Sequence, residues 1–344
     1  MNRLEQWAYD VGQGARVAWF LGHYRLAQRQ IERFAEPVEV EAALPTRNEL
    51  LRDLYSLFER DRANIAAGRY RMPHDLLGNP VRALRSSRRF FGDLREVNRR
   101  RQERAHEEVT GSANGRRYPR YYLQNFHFQT DGWLSEHSAE LYDFQVEVLF
   151  NGGADAMRRH ALLPLGRWLE GRKIAEQPLL DVGCGTGRFL TLVKHNWPRL
   201  PVTGLDLSRP YLEKARDLLR PWSWVRFVEA PAEQLPFANQ SFALVTCVYL
   251  FHELPRKVRR AAAAEMARVL RPGGLLVLVD SFQKGDRPEF EGLLELFPRA
   301  YHEPYFADYV RDDLAKLFGG LGLRPASTDL AFVSKVAAFE KPLS

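Results

Sequence analysis

Residues 179–190 read LLDVGCGTGRFL, and this stretch decides the fold of the region around it. An apolar segment ends on Asp181, three glycines follow at Gly183, Gly185 and Gly187, and a second apolar segment begins after them. Glycine is needed where the backbone adopts a positive φ or where a ligand must lie against it without a Cβ in the way. The pattern predicts a strand, a tight turn and the start of a helix, where nucleotide-like ligands commonly bind.

From residue 178 onward, strand-like and helix-like segments alternate along the chain. This alternation predicts a doubly wound α/β domain with a seven-stranded, Rossmann-like sheet. In such a sheet the ligand binds at the C-terminal ends of the strands, where the strand order reverses. The predicted strands cover 179–182, 202–205, 225–228, 242–247, 275–279, 323–329 and 331–340, and the predicted helices cover 187–197, 210–220, 255–271 and about 308–319.

The first 117 residues have a different character and predict a helical N-terminal region. Apolar residues recur at helical spacing up to about residue 35, and a Thr46/Glu49 capping box opens a helix that runs towards Gly68. A heavily charged helix is expected around 80–109, and GSANG at 111–115 is typical of a loop. We therefore predict three parts: a helical region over 1–117, an aromatic connector over 118–154 and an α/β domain over 155–344.

The connector is unusually aromatic, with nine Phe, Trp or Tyr residues between positions 118 and 150. Hydrogen-bonding groups lie among these rings, an arrangement that is costly in a plain core. The segment is therefore either a core-facing connector or the wall of a pocket for a flat or polar substrate. On the second interpretation, the candidate pocket residues are Trp133 and Tyr142, together with Tyr301 and His302 from the later stretch YHEPYF.

Composition indicates an ordinary globular protein with an uneven charge distribution. The formal net charge of +7 arises within residues 1–130, where 23 Arg face 16 acidic residues. This excess could hold phosphates, or it could reflect codon use, since Arg is also abundant in the neutral remainder of the chain. No apolar run is long enough to predict a transmembrane helix, and the N-terminus lacks the pattern of a signal peptide. With only two cysteines, we expect a cytoplasmic protein.

The glycine spacing distinguishes two classes of nucleotide site. A dinucleotide site of the form G-x-G-x-x-G would require glycine at position 188, where the chain has Arg188. The observed D-x-G-x-G-x-G resembles motif I of the class I S-adenosylmethionine-dependent methyltransferases. Three further stretches resemble the companion motifs of that family in order and spacing: GLDLS at 204–208, VEAPAEQLPFANQSFALV at 228–245 and EMARVLRPGGLLVLVDS at 265–281.

The resemblance covers about 155–340 and is greatest to the type 11 group, which includes the ubiquinone and menaquinone biosynthesis methyltransferases. It implies S-adenosylmethionine as cofactor, a methyltransferase activity (EC 2.1.1.-) and no metal, with Asp206 as the carboxylate that accepts hydrogen bonds from the ribose. Two residues depart from the family pattern, Pro231 and Ala243, and the first puts the usual contact to the adenine amino group in doubt. The implied cofactor residues are Asp181, Gly183, Cys184, Gly185, Gly187, Asp206, Leu207, Ala232, Glu233 and Val248.

Candidate catalytic residues follow the fourth predicted strand, in VYLFHELP. Tyr249, His252 and Glu253 come where the methyl group of the cofactor should project, and an imidazole suits proton removal near neutral pH. An alternative interpretation is that His252 only packs beside the next helix. Cys247 is interpreted as a buried structural thiol, because the Pro-Cys pattern of pyrimidine C5 methyltransferases is missing.

Four functional hypotheses remain open from the sequence. The first is a methyltransferase acting on a small-molecule acceptor, the second an RNA methyltransferase that uses the Arg-rich region, and the third a non-catalytic module that keeps the cofactor site. The fourth is an interfacial enzyme acting on a lipid or quinone, with the stretch around Trp7, Trp19 and Phe20 lying on a membrane. Neither the acceptor nor the oligomeric state follows from the residues.

Overall fold

The computed structural model describes residues 1–32, 40–76, 78–103, 105–111 and 118–343. The chain divides into two compact units: the first comprises 1–68, 72–156 and 289–304, and the second comprises 69–71, 157–288 and 305–344. The predicted loop at 111–115 falls almost entirely outside the described residues. The predicted division placed 289–304 with the α/β domain, whereas the backbone contacts group this segment with the N-terminal unit.

The second unit contains a seven-stranded sheet with the order β3-β2-β1-β4-β5-β7-β6. β1 to β5 pair in parallel, and β7 pairs antiparallel with both β5 and β6. This is the predicted doubly wound α/β architecture. The strands are β1 (Leu179–Val182), β2 (Val202–Asp206), β3 (Val225–Glu229), β4 (Phe242–Val248), β5 (Leu270–Ser281), β6 (Arg324–Ala331) and β7 (Ser334–Glu340).

The α-helices divide between the two units in the same way. Helices α1 to α4 and α10 belong to the first unit, and α6 to α9, α11 and α12 belong to the second. Along the described chain they are α1 (Arg3–Glu32), α2 (Arg47–Ala66), α3 (Pro80–Glu103), α4 (Glu136–Leu149), α5 (Ala154–Arg159), α6 (Leu162–Leu169), α7 (Arg188–Asn196), α8 (Arg209–Leu219), α9 (Arg256–Val269), α10 (Glu291–Ala300), α11 (Phe306–Tyr309) and α12 (Leu314–Gly319).

Central strands β1 and β4 are almost completely buried, which explains their near-continuous apolar sequences. Their register pairs Leu179 with Leu244 and Val182 with Cys247. On the other side of β1, Val182 pairs with Leu205 of β2. The C-terminal ends of β1, β2 and β4 therefore lie side by side at one edge of the sheet, as the motif order requires.

The first unit is held together by an aromatic cluster between α1, α3 and α4. Phe20, Phe90 and Phe144 are buried in it, with ring centroids 5.3 to 5.7 Å apart. Edge-to-face and tilted aromatic pairs of this kind add to the stabilisation that burial itself provides. The capping box at Thr46 and Glu49 is formed at the start of α2, as predicted.

Two helix predictions need correction. The helix expected around 308–319 consists of two short helices, α11 and α12, because Asp313 caps a new helix through its side chain and the chain turns before it. The charged helix expected over 80–109 ends at Glu103, and a short 3₁₀ turn follows at 108–111. No helix in the described part of the chain is long and apolar enough to cross a membrane.

Gly187 shows why the turn after β1 requires glycine. Its φ is +77°, and an added Cβ would lie 2.6 Å from Leu219 Cδ1 and 3.0 Å from the Cβ of Ala215. Both neighbours belong to α8, so the close approach of the turn to this helix leaves no room for a side chain. Gly171 has a similar φ of +71°, yet a Cβ there would meet nothing within 4 Å.

We expect Gly187→Ala to destabilise the protein more than Gly171→Ala. Both substitutions carry the cost of a left-handed residue, about 1 to 2 kcal/mol, but only Gly187→Ala adds a steric clash with α8. Urea unfolding of the two variants and the parent measures the difference. Equal losses of stability would mean that the approach of Gly187 to α8 has no energetic importance.

Candidate active site

The Asp206 carboxylate links the glycine turn to the end of β2. Its Oδ2 accepts a hydrogen bond from the backbone N–H of Gly185, and its Oδ1 accepts one from the N–H of Ser208, both at 2.8 Å. Burial raises the pKa of Asp206, while the backbone N–H groups of Ser208, Gly185 and Leu207 oppose the rise. The Asp206 residue is half-buried. Helix α8 is capped by Ser208, so Asp206 is not the cap residue.

Asp181 is buried inside the sheet and is hydrogen-bonded to the neighbouring strand. Its carboxyl group is 1% exposed, and Oδ1 accepts a hydrogen bond from Thr246 Oγ1 of β4 at 2.7 Å. Burial raises the pKa of Asp181 to about 7; the bond from Thr246 opposes this rise, and the charge of Asp206 adds to it. The sequence did not single out Thr246, because only the β1–β4 register reveals that the two residues are neighbours.

The other residues of the turn form a closely packed surface. Leu250, which follows β4, lies against Gly183, where an added Cβ would be 2.9 Å from Leu250 Cδ2. An added Cβ on Gly204 would lie 2.8 Å from Cys184 Sγ, so this thiol packs against the β2 backbone. Gly185 differs from its neighbours, since its φ is +54° and the nearest atom to an added Cβ is 4.0 Å away. The turn is therefore sterically open at Gly185.

The loop after β3 is fixed by two side chains of α9. Glu265 accepts a hydrogen bond from the N–H of Leu235 at 2.8 Å, and Arg268 donates to the carbonyls of Leu235 and Phe237. Glu265 also pairs with Arg268 at 2.7 Å, which lowers the pKa of Glu265. Within this loop Ala232 is buried and Glu233 is half-exposed, as is Leu207 after β2. The motif EMARVL therefore anchors the loop, a role that sequence analysis did not assign to it.

His252 forms a buried pair with Asp280 of β5. His252 Nδ1 lies 2.6 Å from Asp280 Oδ1, and Asp280 Oδ2 accepts the backbone N–H of Phe251 at 2.9 Å. Because a carboxylate can only accept, Nδ1 carries the hydrogen, and Nε2 is the lone-pair nitrogen of the neutral ring. Phe306 and Tyr309 meet the ring edge-on, with centroids 5.9 and 6.3 Å away. The imidazole is thus oriented by a carboxylate and by two aromatic rings.

The other two catalytic candidates have different surroundings. Tyr249 adopts a φ of +56°, which is uncommon outside glycine, and its hydroxyl lies 2.8 Å from Ser334 Oγ. The Arg158 guanidinium lies over the ring of Tyr249, 5.7 Å from its centroid. Glu253 lies beside His252, with 3.9 Å between Glu253 Oε1 and His252 Nε2. Val248, the last residue of β4, is half-buried next to Tyr249.

Both cysteines are packed into the sheet region. Burial raises the pKa of Cys184 and of Cys247 well above the usual range, and neighbouring carboxylates add to the rise. A raised pKa disfavours the nucleophilic thiolate. The environment of Cys247 agrees with a structural thiol.

The predicted aromatic pocket residues lie in the first unit, where only two of them meet a common cavity. Tyr142 and Tyr301 both line it. Trp133 packs edge-on against Tyr142, with centroids 5.5 Å apart, and is not part of the lining. His302 stacks on His106 and bonds to Gln124, and burial lowers the pKa of His302 to about 4.

Comparison with known proteins identifies the α/β part of the chain. Residues 179–274 match the family model of a methyltransferase domain. The chain is 34% identical over 142 residues to the ubiquinone/menaquinone biosynthesis C-methyltransferase UbiE of Desulfotalea psychrophila, covering 41% of this chain and 53% of that protein. It is 35% identical over 119 residues to a demethylmenaquinone methyltransferase of Staphylococcus aureus, covering 34% and 48%. The chain thus spans about half the length of these curated relatives.

Among solved structures, the YcgJ protein of Bacillus subtilis is 26% identical, with a TM-score of 0.40 over 50% of this chain and 72% of that one. The strand order and the glycine turn are typical of class I methyltransferases, and the residues that match the family model lie in this part of the chain. Over its aligned part, the domain is similar to the ubiquinone and menaquinone biosynthesis methyltransferases.

The methyl donor of this class is S-adenosylmethionine, and the residues at the strand ends fit it. Gly185 leaves open space beside the turn, where a side chain would intrude on a ligand. The half-buried Asp206 carboxylate keeps acceptor capacity for hydroxyl groups beyond its two backbone bonds. No residue in this set calls for a metal ion.

The environment of Asp181 predicts a pH-dependent stability. Since its pKa is about 7 in the folded protein and 3.8 ordinarily, the folded state holds the proton more tightly. The stability that the bound proton of Asp181 contributes is complete below about pH 4 and is lost as the pH rises through 7. The Asp181→Asn variant does not titrate at this position, so it does not lose this stability, and its amide oxygen can still accept a hydrogen bond from Thr246. We expect its stability relative to the parent to rise by about 2 to 3 kcal/mol between about pH 5 and pH 8.

Urea unfolding at the two pH values, without added ligand, measures this change. The matched control is Asp217→Asn, at an exposed position on α8, which should show the same small effect at both pH values. A pH-independent effect of Asp181→Asn would contradict the raised pKa.

Proposed function

We propose that the protein transfers a methyl group from S-adenosylmethionine to a small-molecule acceptor. The observation that carries this proposal is the Asp206 carboxylate, bonded to the N–H groups of Gly185 and Ser208 at the end of β2. A carboxylate in this position, 19 residues after Gly187, suits the two hydroxyls of a ribose. Two relatives that are about a third identical over their aligned parts are named as a ubiquinone/menaquinone biosynthesis C-methyltransferase and a demethylmenaquinone methyltransferase.

The proposed cofactor contacts follow from the elements that meet at this edge of the sheet. Gly183 and Gly185 would let the methionine part lie against the turn, with Cys184 and Asp181 supporting the turn from inside the sheet. Leu207 follows Asp206 on the ribose side. Ala232 and Glu233 lie on the loop that we propose for the adenine, and Val248 ends β4 beside them.

The chain's own part in catalysis would be positioning, water exclusion and proton removal. S-adenosylmethionine, when bound, supplies a methyl group on a sulfonium that is already a good leaving group. The His252 Nε2 would accept a proton from the acceptor, while Asp280 holds the ring and stabilises its protonated form. Tyr249 and Glu253 are proposed to help position the acceptor beside His252.

Asp206→Ala should weaken cofactor binding because the ribose hydroxyls lose a charged acceptor. Hydrogen bonds to charged groups contribute about 1.5 to 3 kcal/mol, so we expect the Kd for S-adenosylhomocysteine to rise about 10- to 100-fold in calorimetry. Glu229→Ala, at the end of β3 in register with Asp206, is the control and should change the Kd little. Unchanged binding in Asp206→Ala would remove the main support of the proposal.

His252→Gln should slow methyl transfer with little effect on cofactor affinity, because the ring is proposed to act on the acceptor alone. A general base contributes about 10²- to 10⁴-fold. The assay follows labelled methyl transfer into small-molecule and RNA fractions of a cell extract, and His195→Gln on α7 is the control. If His252→Gln retains full activity, then His252 has only a packing role, and labelling confined to the RNA fraction would contradict a small-molecule acceptor.

A further inference from the structure

The first unit contains a cavity of about 110 Å³ that is partly open to the surface. Its wall is mainly apolar and aromatic, with polar groups at a few points. The lining residues are Tyr24, Ala27, Gln28, Phe90, Leu94, Val97, Arg101, His127, Gln129, Tyr142, Gln145, Val146, Val148, Leu149 and Tyr301. A cavity of this size holds a ligand of roughly ten non-hydrogen atoms, and an apolar wall with a few polar groups is typical of small-molecule sites.

Arg101 is the feature that gives this cavity a chemical preference. Its guanidinium lies over the rings of Tyr301 and Phe128, 5.5 and 5.9 Å from their centroids. The Nε atom is buried and has no hydrogen-bond partner, and the contact from Nη1 to Asn98 Oδ1 is long, at 3.3 Å. Within the part of the chain that the structure describes, Arg101 therefore lacks a carboxylate partner.

The two preceding arginines on α3 have the carboxylate partner that Arg101 lacks. Arg99 and Arg100 both pair with Glu108, at 2.9 and 2.5 Å. Successive residues of a helix point in directions about 100° apart, so Arg101 faces the cavity and away from Glu108. Burial lowers the pKa of Arg101, yet an arginine remains charged in proteins.

No carboxylate occurs among the described residues that line the cavity. The other basic side chain in the lining is His127, whose Nε2 lies 2.8 Å from Oε1 of Glu303, a residue outside the lining. Gln145, on α4, offers a further neutral amide to the cavity. The cavity thus combines an aromatic wall, neutral hydrogen-bonding groups and one positive charge without a counterion.

We propose that this cavity binds a flat organic carboxylate, with its aromatic body among Phe90, Tyr142 and Tyr301 and its carboxylate on Arg101. A carboxylate matches the planar fork of a guanidinium and carries a single negative charge. A phosphate dianion suits the site less well, because one arginine in an apolar wall would leave a second charge unpaired.

This inference goes beyond the proposed function, because the cavity lies within the first unit and binding there does not require methyl transfer. Tyr142 and Tyr301 are the pocket residues predicted from sequence that line this cavity.

The test is calorimetric binding of trans-cinnamate and of cinnamamide, which has the same shape without the charge. We expect cinnamate to bind at least about tenfold more tightly than the amide, and Arg101→Gln to remove that difference. Arg95→Gln, at an exposed position on the same helix, is the matched control and should retain it. Val146→Trp should fill the cavity and abolish binding of both compounds.

Each result has a defined meaning. Equal affinities for acid and amide, unchanged cinnamate binding in Arg101→Gln or in Val146→Trp, or no binding of cinnamate up to about 10 mM would overturn the proposal. If Arg101→Gln does not fold, the comparison of the acid with the amide in the parent protein and in Val146→Trp still tests whether the cavity prefers a carboxylate. Binding of S-adenosylhomocysteine is measured in parallel: its failure with the parent protein would count against the proposed function alone.

Discussion

The tie between the Asp206 carboxylate and the N–H of Gly185 is the interaction on which the candidate site depends. It joins the turn after β1 to the end of β2, so two strand ends that could move separately act as one rigid edge. The same carboxylate accepts the N–H of Ser208, which in turn caps α8. Helix α8 then fixes the turn from the other side through the close contact of Leu219 with Gly187. One half-buried carboxylate thus connects the turn, two strands and a helix.

The α/β unit could be predicted from sequence because its signals are local. The central strands β1 and β4 are short apolar runs, and Ser208 and Gly187 mark the helix starts that the structure has. What could not be predicted depends on register between distant segments. Thr246 meets Asp181 only because β4 lies beside β1, and Glu265 and Arg268 reach the loop at 231–237 only because α9 lies beneath it. The sequence predicts one helix over about 308–319 where the structure has α11 and α12, because an aspartate such as Asp313 occurs within helices as well as at their N-caps.

In the candidate sites, too, the sequence predicted individual residues but not which distant residues meet. The 2.6 Å contact between Asp280 and His252 was not predicted, because only the β4–β5 pairing brings the two residues together. Tyr142 and Tyr301 are 159 positions apart, and nothing in their local sequence says that they share a wall. Arg101 was hidden in a run of three arginines, where charge alone suggests a solvated face. Arg101 differs from Arg99 and Arg100 only in the direction in which its side chain leaves the helix.

The segment 289–304 leaves the second unit after β5 and returns to it before α11, having joined the first unit in between. Within that first unit, Gly292 packs on the backbone of Ala43, and Glu295 accepts the N–H of Glu41 at 2.8 Å. Neither unit is therefore a continuous stretch of chain. A shortened protein that begins after residue 117 would keep α10 but lose the residues that cover it, exposing its apolar side to solvent. Because the first unit is built from separate stretches of the chain, a single deletion in the gene cannot remove it whole without also removing part of the second unit.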